Sequence, residues 1–305
     1  LSLVFGRFLP QRISQRFRTG TLGHGWSHNW EFTYEKAADG TVTIVGPGGS
    51  RRVFQPDSRG GFFRQAGDHG TLAELDGGAY ALTEKDGLLR AFASDGRLSY
   101  VQDLNGNRIA ATYTGDVLTK LAHSAGQSLT LAYAGGVLKS VTDSLGRVSS
   151  YTYDAGDQHL AKVGYFDGSE VSYGYATGLG ATREHALTQV TYPGGTHEFF
   201  GYDAQGRLAS TSRDGGTEQL TYGYDNTGIV SVTDALSNRT RFHFDHRGLL
   251  AKVENPLNQT LRLAYDADFN LTALTDPAGR AHDYRYDVNG NLVDATDPLG
   301  GRTHF

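Results

Sequence analysis

The sequence predicts an all-β protein in which one short antiparallel unit is repeated along most of the chain. Three observations carry that reading. Large apolar residues alternate at period two ahead of an aromatic residue, as at Leu261, Leu263 and Tyr265 or Leu220, Tyr222 and Tyr224. Such alternation puts every second side chain on one face of a half-buried strand. An aromatic-Asp phrase then recurs at nearly constant spacing, and Gly, Asn and Asp punctuate the intervals, where turns need them. No helix of convincing length is predicted anywhere.

The repeat is clearest from residue 202. Its copies are Tyr202-Asp203-Ala-Gln-Gly206-Arg-Leu208, Tyr224-Asp225-Asn-Thr-Gly228-Ile-Val230 and Phe244-Asp245-His-Arg-Gly248-Leu-Leu250. Tyr265-Asp266-Ala-Asp-Phe-Asn-Leu271 and Tyr286-Asp287-Val-Asn-Gly290-Asn-Leu292 complete the set. The leading aromatics are 22, 20, 21 and 21 residues apart. Looser copies lead from Phe92, Tyr113, Tyr133 and Tyr153, and a degenerate one from Tyr175. A second phrase alternates with the first: Thr142-Asp-Ser-Leu-Gly-Arg147, Thr233-Asp-Ala-Leu-Ser-Asn238, Thr275-Asp-Pro-Ala-Gly-Arg280 and Thr296-Asp-Pro-Leu-Gly-Gly301.

Two strands per unit of about 21 residues leave only four- or five-residue turns, so neighbouring strands must be antiparallel. The second strand carries apolar residues at i and i+3 (Leu138 and Val141, Leu250 and Val253, Leu271 and Leu274). An ideal strand would place these on opposite faces, so a bulge or early turn is expected there. The leading aromatics and the leucines from Leu208 to Leu292 are expected to line one buried face. A single unit is too small to stand alone and must be stabilised by its neighbours. Nearly twenty strands make a ribbon of roughly 90 Å at about 4.8 Å each, and open twisted sheets of that length coil.

Residues 1–77 differ and are read as a lead-in that caps the first repeats; residues 78–305 are read as tandem repeats in one continuous structure. The lead-in holds both tryptophans, in Gly23-His-Gly-Trp-Ser-His-Asn-Trp30, followed by short strand-like pieces and Gly-rich turns. The insertion Ala176-Thr-Gly-Leu-Gly-Ala-Thr-Arg-Glu-His-Ala186 is expected to project as a surface loop. The chain opens at Leu1 without Met and closes on Phe305, two positions before the next leading aromatic would fall. It is therefore read as a piece of a longer protein whose C-terminal edge would seek a partner, possible self-association included.

Composition excludes several classes. Gly is 41 of 305 residues but Pro only 7, without a collagen period. The net charge of −5 argues against a nucleic-acid partner. No apolar run is long enough for a helical membrane span. There are no cysteines, so disulfides, thiolate metal sites and cysteine nucleophiles are out.

The Tyr-Asp-x-x-Gly-Arg-Leu phrase at 202–208 and its recurrence resemble the YD repeat of Rhs proteins. The Gly-x-Gly-Trp-Ser-His-Asn-Trp stretch at 23–30 is similar to the segment that commonly precedes those repeats. Members include bacterial polymorphic toxins, subunits of insecticidal toxin complexes, wall-associated proteins and teneurins. The resemblance implies a repetitive antiparallel sheet coiled into a curved, partial hollow shell, secreted or at the cell surface, with a bacterial parent. It implies a structural shell segment enclosing or presenting a C-terminal toxin or effector polypeptide that is absent here. The alternative is an extracellular adhesive or carbohydrate-binding surface, with glycans as partners. Asp297-Pro-Leu-Gly-Gly301 superficially resembles the aspartate self-cleavage motif of toxin members, but its register with Asp276-Pro-Ala-Gly279 makes it an ordinary repeat turn.

No catalytic, cofactor-binding or metal residue is assigned. His24 with His28, and His243 with His246, lie in non-helical contexts that do not converge ligands. Asp103–Asn107 and Asp287–Asn291 resemble calcium loops only faintly, lacking the bidentate Glu. The signature residues Tyr202, Asp203, Gly206, Leu208, Tyr224, Asp225, Gly228, Phe244, Asp245, Gly248, Leu250, Tyr265, Asp266, Leu271, Tyr286, Asp287, Gly290 and Leu292 are assigned structural roles, and the protein is read as a non-enzyme without cofactors.

Overall fold

The computed structural model describes every residue except Gln11. The chain is almost entirely β, and its one α-helix among the described residues is the single turn Ile13–Arg16. Contacts divide it into two compact units. The first comprises Leu1–Gln65, Gly70–His197 and Ala204–Gly206; the second comprises Ala66–His69, Glu198–Asp203 and Arg207–Phe305.

In the first unit, strands Thr33–Lys36, Val42–Gly46, Ser50–Pro56 and Phe62–Arg64 form a four-stranded antiparallel sheet within the lead-in. The repeat sheet begins at Thr71–Glu74 and continues strand by strand, each antiparallel to the one before, to Leu187–Thr191. Leu22, Trp26 and Trp30 of the lead-in share one core with Leu138, Leu160 and Val163 of the repeats. The lead-in thus packs along the middle repeats of this unit and is not confined to the first ones. Thr21 accepts from the Leu138 N–H, and the His24 N–H donates to the Gln158 carbonyl at 2.8 Å.

The expected bulge is present, with a defined position. Ala132 pairs with Ser140 and Tyr133 with Leu138, so Lys139 is the extra residue. That one-residue slip returns Leu138 and Val141 to the same side, where both are buried. The register shifts likewise before Tyr113, Tyr153, Tyr175, Tyr202, Phe244, Tyr265 and Tyr286. Tyr224 is the exception: it pairs with Val230 in continuous register.

The second unit is the same antiparallel ladder, ending with Leu292–Thr296 against Arg302–His304. Its leading aromatics are not buried as expected. Tyr202, Tyr224, Tyr265 and Tyr286 are half-buried and Phe244 is exposed. The physical reason is the missing layer: in the first unit the lead-in covers the sheet, whereas the second unit contributes only the short segment 66–69 beside its strands. Alternation fixes which face is apolar, while burial requires something packed on it.

The insertion at 176–186 also departs from expectation. Its tip is exposed, but its stem is packed, with Ala176 and Ala186 buried and the Ala176 N–H donating to the Ala186 carbonyl at 2.8 Å. Arg16 reaches the Thr182 carbonyl, and Thr182 Oγ1 donates to the Ala204 carbonyl. A Cβ on Gly206 would stand 1.9 Å from the Thr182 carbonyl oxygen, so only glycine fits beneath this loop.

Candidate functional site

The repeat phrase owes its chemistry to two hydrogen-bond devices. The leading tyrosine hydroxyl donates to the backbone carbonyl of the leucine at or next to the start of the second strand of the preceding unit. These bonds run from Tyr133 to Leu118 (2.8 Å), Tyr153 to Leu138 (2.8 Å) and Tyr175 to Leu160 (2.7 Å). They continue from Tyr224 to Leu208 (2.8 Å) and Tyr265 to Leu250 (3.1 Å). Burial pushes the phenols of Tyr133, Tyr153 and Tyr175 up, which keeps them protonated donors.

The aspartates close the turns. Asp276 Oδ1 accepts the N–H groups of Ala278 and Arg280, and its Oδ2 takes the Arg280 Nε. Asp234 and Asp287 do the same, with Asn238 and Asn291 supplying the side-chain donor. The donated bonds hold the carboxyls of Asp234, Asp245 and Asp276 below the usual range: chiefly the Asn238 side chain, the Leu249 N–H and the Arg280 side chain, respectively. Asp297 accepts from the Leu299 and Gly301 N–H groups in the same pattern. In the calcium-like loop, Asp103 is occupied by Asn105, Asn107 and the Leu1 ammonium group, and its carboxyl lies at about 2.

The remaining candidate signature residues take these places. Gly206, Gly228, Gly248 and Gly290 all have φ between +74 and +82°, the left-handed turn position. Leu208, Leu250, Leu271 and Leu292 pair across from Tyr202, Phe244, Tyr265 and Tyr286. Phe269 stands where the phrase has glycine, at φ +65°, and packs on Gly67 and under Arg247.

Polar chemistry concentrates where the lead-in meets the first unit's repeats. Arg7 donates to the hydroxyls of Tyr165 (2.9 Å) and Tyr173 (2.8 Å). Trp26 Nε1 donates to the Tyr175 hydroxyl at 2.7 Å, extending the tyrosine chain to Leu160. A cavity of about 240 Å³ opens here between Trp30, Phe32, Tyr113 and Tyr133, with Arg18, Glu31, Arg97 and Asp116 also on its wall. Glu31 accepts from Ser27 Oγ at 2.5 Å and pairs with Arg18 at 3.4 Å. Burial pushes the Tyr113 phenol up to about 12.

The histidines do not pair as neighbours in sequence. His28 sits at 3.6 Å from Glu31, with its ring against Phe5. His24 instead joins His159 and His185. His159 Nδ1 lies 2.6 Å from Asp154 Oδ2, its Nε2 lies 2.8 Å from His185 Nδ1, and the His185 ring stacks on His24 with centroids 3.8 Å apart. Among the described residues, no group of three His, Asp or Glu side chains is placed to hold a metal ion. Sequence reasoning missed this cluster, since 24, 159 and 185 belong to the lead-in, a turn and the insertion.

With tandem bulged strands, tyrosine-to-carbonyl bonds and aspartate-closed turns in view, the class is a YD-repeat sheet protein. Residues 202–305 match the family described as Teneurin YD-shell. No curated protein matches it. Among solved structures it is similar to the crystal structure of TcdB2-TccC3-Cdc42, at 14% identity and a TM-score of 0.44, covering 89% of this chain and 16% of that one. It is also similar to the Photorhabdus luminescens Tc holotoxin pore, at 12% identity and a TM-score of 0.39, covering 92% and 18%. A porin-like protein from Bacteroides uniformis follows at 13% identity and a TM-score of 0.22, covering 74% of this chain and 88% of that one. The chain spans less than a fifth of the first two.

Proposed function

We propose that this chain is a stretch of shell wall that encloses or presents a polypeptide following the repeats in the full-length protein, a toxin or effector, and that it has no enzymatic role. One observation supports this above the rest. The second unit's row of Tyr202, Tyr224, Phe244, Tyr265 and Tyr286 is made of core residue types yet stays half open, an aromatic sheet face suited to contact with another polypeptide. The signature aspartates are meanwhile engaged in closing turns, which leaves them structural work and no free acid–base pair. In keeping with the family, the protein acts outside the cell or at its surface. A photo-crosslinking residue at position 244 in the full-length protein tests the reading: capture of the downstream polypeptide supports it, and capture of solvent-facing partners alone overturns it.

A second reading, glycan binding, is favoured by the cavity walled by Trp30, Tyr113 and Tyr133, which combines aromatic faces with the charged groups of Arg18 and Glu31. A glycan array decides it: a specific sugar whose binding is lost in Tyr113→Ala would establish this second role, and no binding removes it.

A further inference from the structure

We propose that His24, His159 and His185 form an acid-sensitive latch that fastens the lead-in hairpin and the insertion to one repeat turn, and that gaining more than one proton opens it. The three imidazoles come from three segments far apart in sequence. His24 lies on the hairpin Thr19–Gly20/Gly23–His24, His159 ends the turn that begins at Asp154, and His185 closes the insertion. Backbone approach is as close as side-chain contact: Gly23 bridges to His159, and a Cβ on Gly23 would stand 2.6 Å from the Gln158 carbonyl oxygen.

The proton count follows from the bonds. His159 Nδ1–H donates to the Asp154 carboxylate, leaving its Nε2 to share a single hydrogen with His185 Nδ1. That bond exists with both rings neutral or with one imidazolium between them. A second proton sets N–H against N–H at 2.8 Å. A second proton taken up by His24, with the first already on the His159–His185 pair, sets two like charges against each other across a ring stack of 3.8 Å. Asp154 and Glu184 draw protons toward these rings, and the Arg16 carbonyl does so at His24, but burial and the neighbouring imidazoles outweigh them. Asp154 is already engaged by His159 and by the Gln158 and His159 N–H groups. Glu184 accepts from the Gly178 N–H, Arg183 donates to the Leu179 carbonyl, and Arg16 donates to the Thr182 carbonyl. Thr19 Oγ1, the Phe17 edge and the Tyr175 ring complete the surroundings.

Burial, together with the neighbouring imidazoles, lowers the proton affinity of His24 and His185. The closed latch therefore binds fewer protons than the open one below the ordinary imidazole value of about 6.5. Closure is complete above that value and is lost as pH falls beneath it, well before the carboxylates titrate.

Hydrogen exchange of the 305-residue chain between pH 7.5 and pH 5, corrected for intrinsic rates, tests the latch. Peptides covering 17–26 and 176–187 should lose about tenfold protection, while those covering 266–297 hold theirs. His185→Gln and His24→Gln should flatten that response. Unchanged protection in the native chain, or the same loss in both variants, would overturn the proposal. Should the variants not fold, an imidazole NMR titration of the native chain decides. Coupled titration of His24 and His185 below about 6.5 supports the latch, and independent titration at ordinary values overturns it. The same spectra separate His28, which faces Glu31 and Phe5 instead.

Discussion

Tyr153→Phe removes one oxygen atom and leaves the ring in place, so it isolates the tyrosine-to-carbonyl bond. The Tyr153 hydroxyl donates to the Leu138 carbonyl at 2.8 Å and lies 3.3 Å from the Thr21 carbonyl. Leu138 is fully buried and Tyr153 is 9% exposed, so water cannot replace the lost donor. Leaving a buried acceptor without its partner costs about 1–3 kcal/mol. For a unit of this size each kcal/mol lowers the melting temperature by about 2–4 °C, so a loss near 2 kcal/mol shifts it by about 4–8 °C. Differential scanning calorimetry of the native chain and the variant reads this directly. Phe244 supplies the control: it leads its unit without a hydroxyl and is exposed, so Phe244→Tyr should move the transition by no more than about 2 °C. A Tyr153→Phe shift that small would refute the reasoning, because the hydroxyl would then add nothing to packing.

Ser237 occupies the left-handed turn position at φ +66° on an exposed turn; Ser237→Gly should stabilise the protein by about 1 kcal/mol, read as a raised denaturation midpoint. Gly23→Ala should destabilise the first unit by more than about 2 kcal/mol, since positive φ and the Gln158 carbonyl both oppose a methyl group, and urea titration followed by tryptophan fluorescence would show it. Tyr265→Ala should cost about 2 kcal/mol, below the about 3–5 kcal/mol expected for a fully buried aromatic, because this face is half open; chemical denaturation measures it. The turn carboxyls of Asp234, Asp245 and Asp276 have lowered pKa values in the fold. The unfolded chain therefore binds more protons as pH falls, so their stabilisation is present above about pH 4 and is lost below it. Circular dichroism should show an acid transition between about pH 4 and 2.

Much of this was legible because repeats state the same instruction many times. Period-two alternation ahead of Tyr265 placed the strands, Asp and Gly at fixed offsets placed the turns, and the i,i+3 pair Leu138 and Val141 disclosed the bulge. The tyrosine hydroxyl bond was not legible. Alternation marks tyrosine only as one large side chain on the inner face, and the carbonyl it meets lies about fifteen residues upstream, across a bulge; the preference for Tyr over Phe among the leaders was the available signal. Burial of the second unit's leaders was overestimated because no strand encodes the layer that will cover it. The Arg16–Thr182 bond that holds the insertion, and the His24–His185 stack, join residues more than 150 apart in sequence, which no local spacing reports.

Protease mapping of the full-length protein tests the shell reading most directly. If these repeats wall in a polypeptide, the enclosed polypeptide should resist cleavage while the sheet is folded and become sensitive only when it is unfolded. Cleavage of that polypeptide at the same rate in the native and the unfolded protein would contradict enclosure.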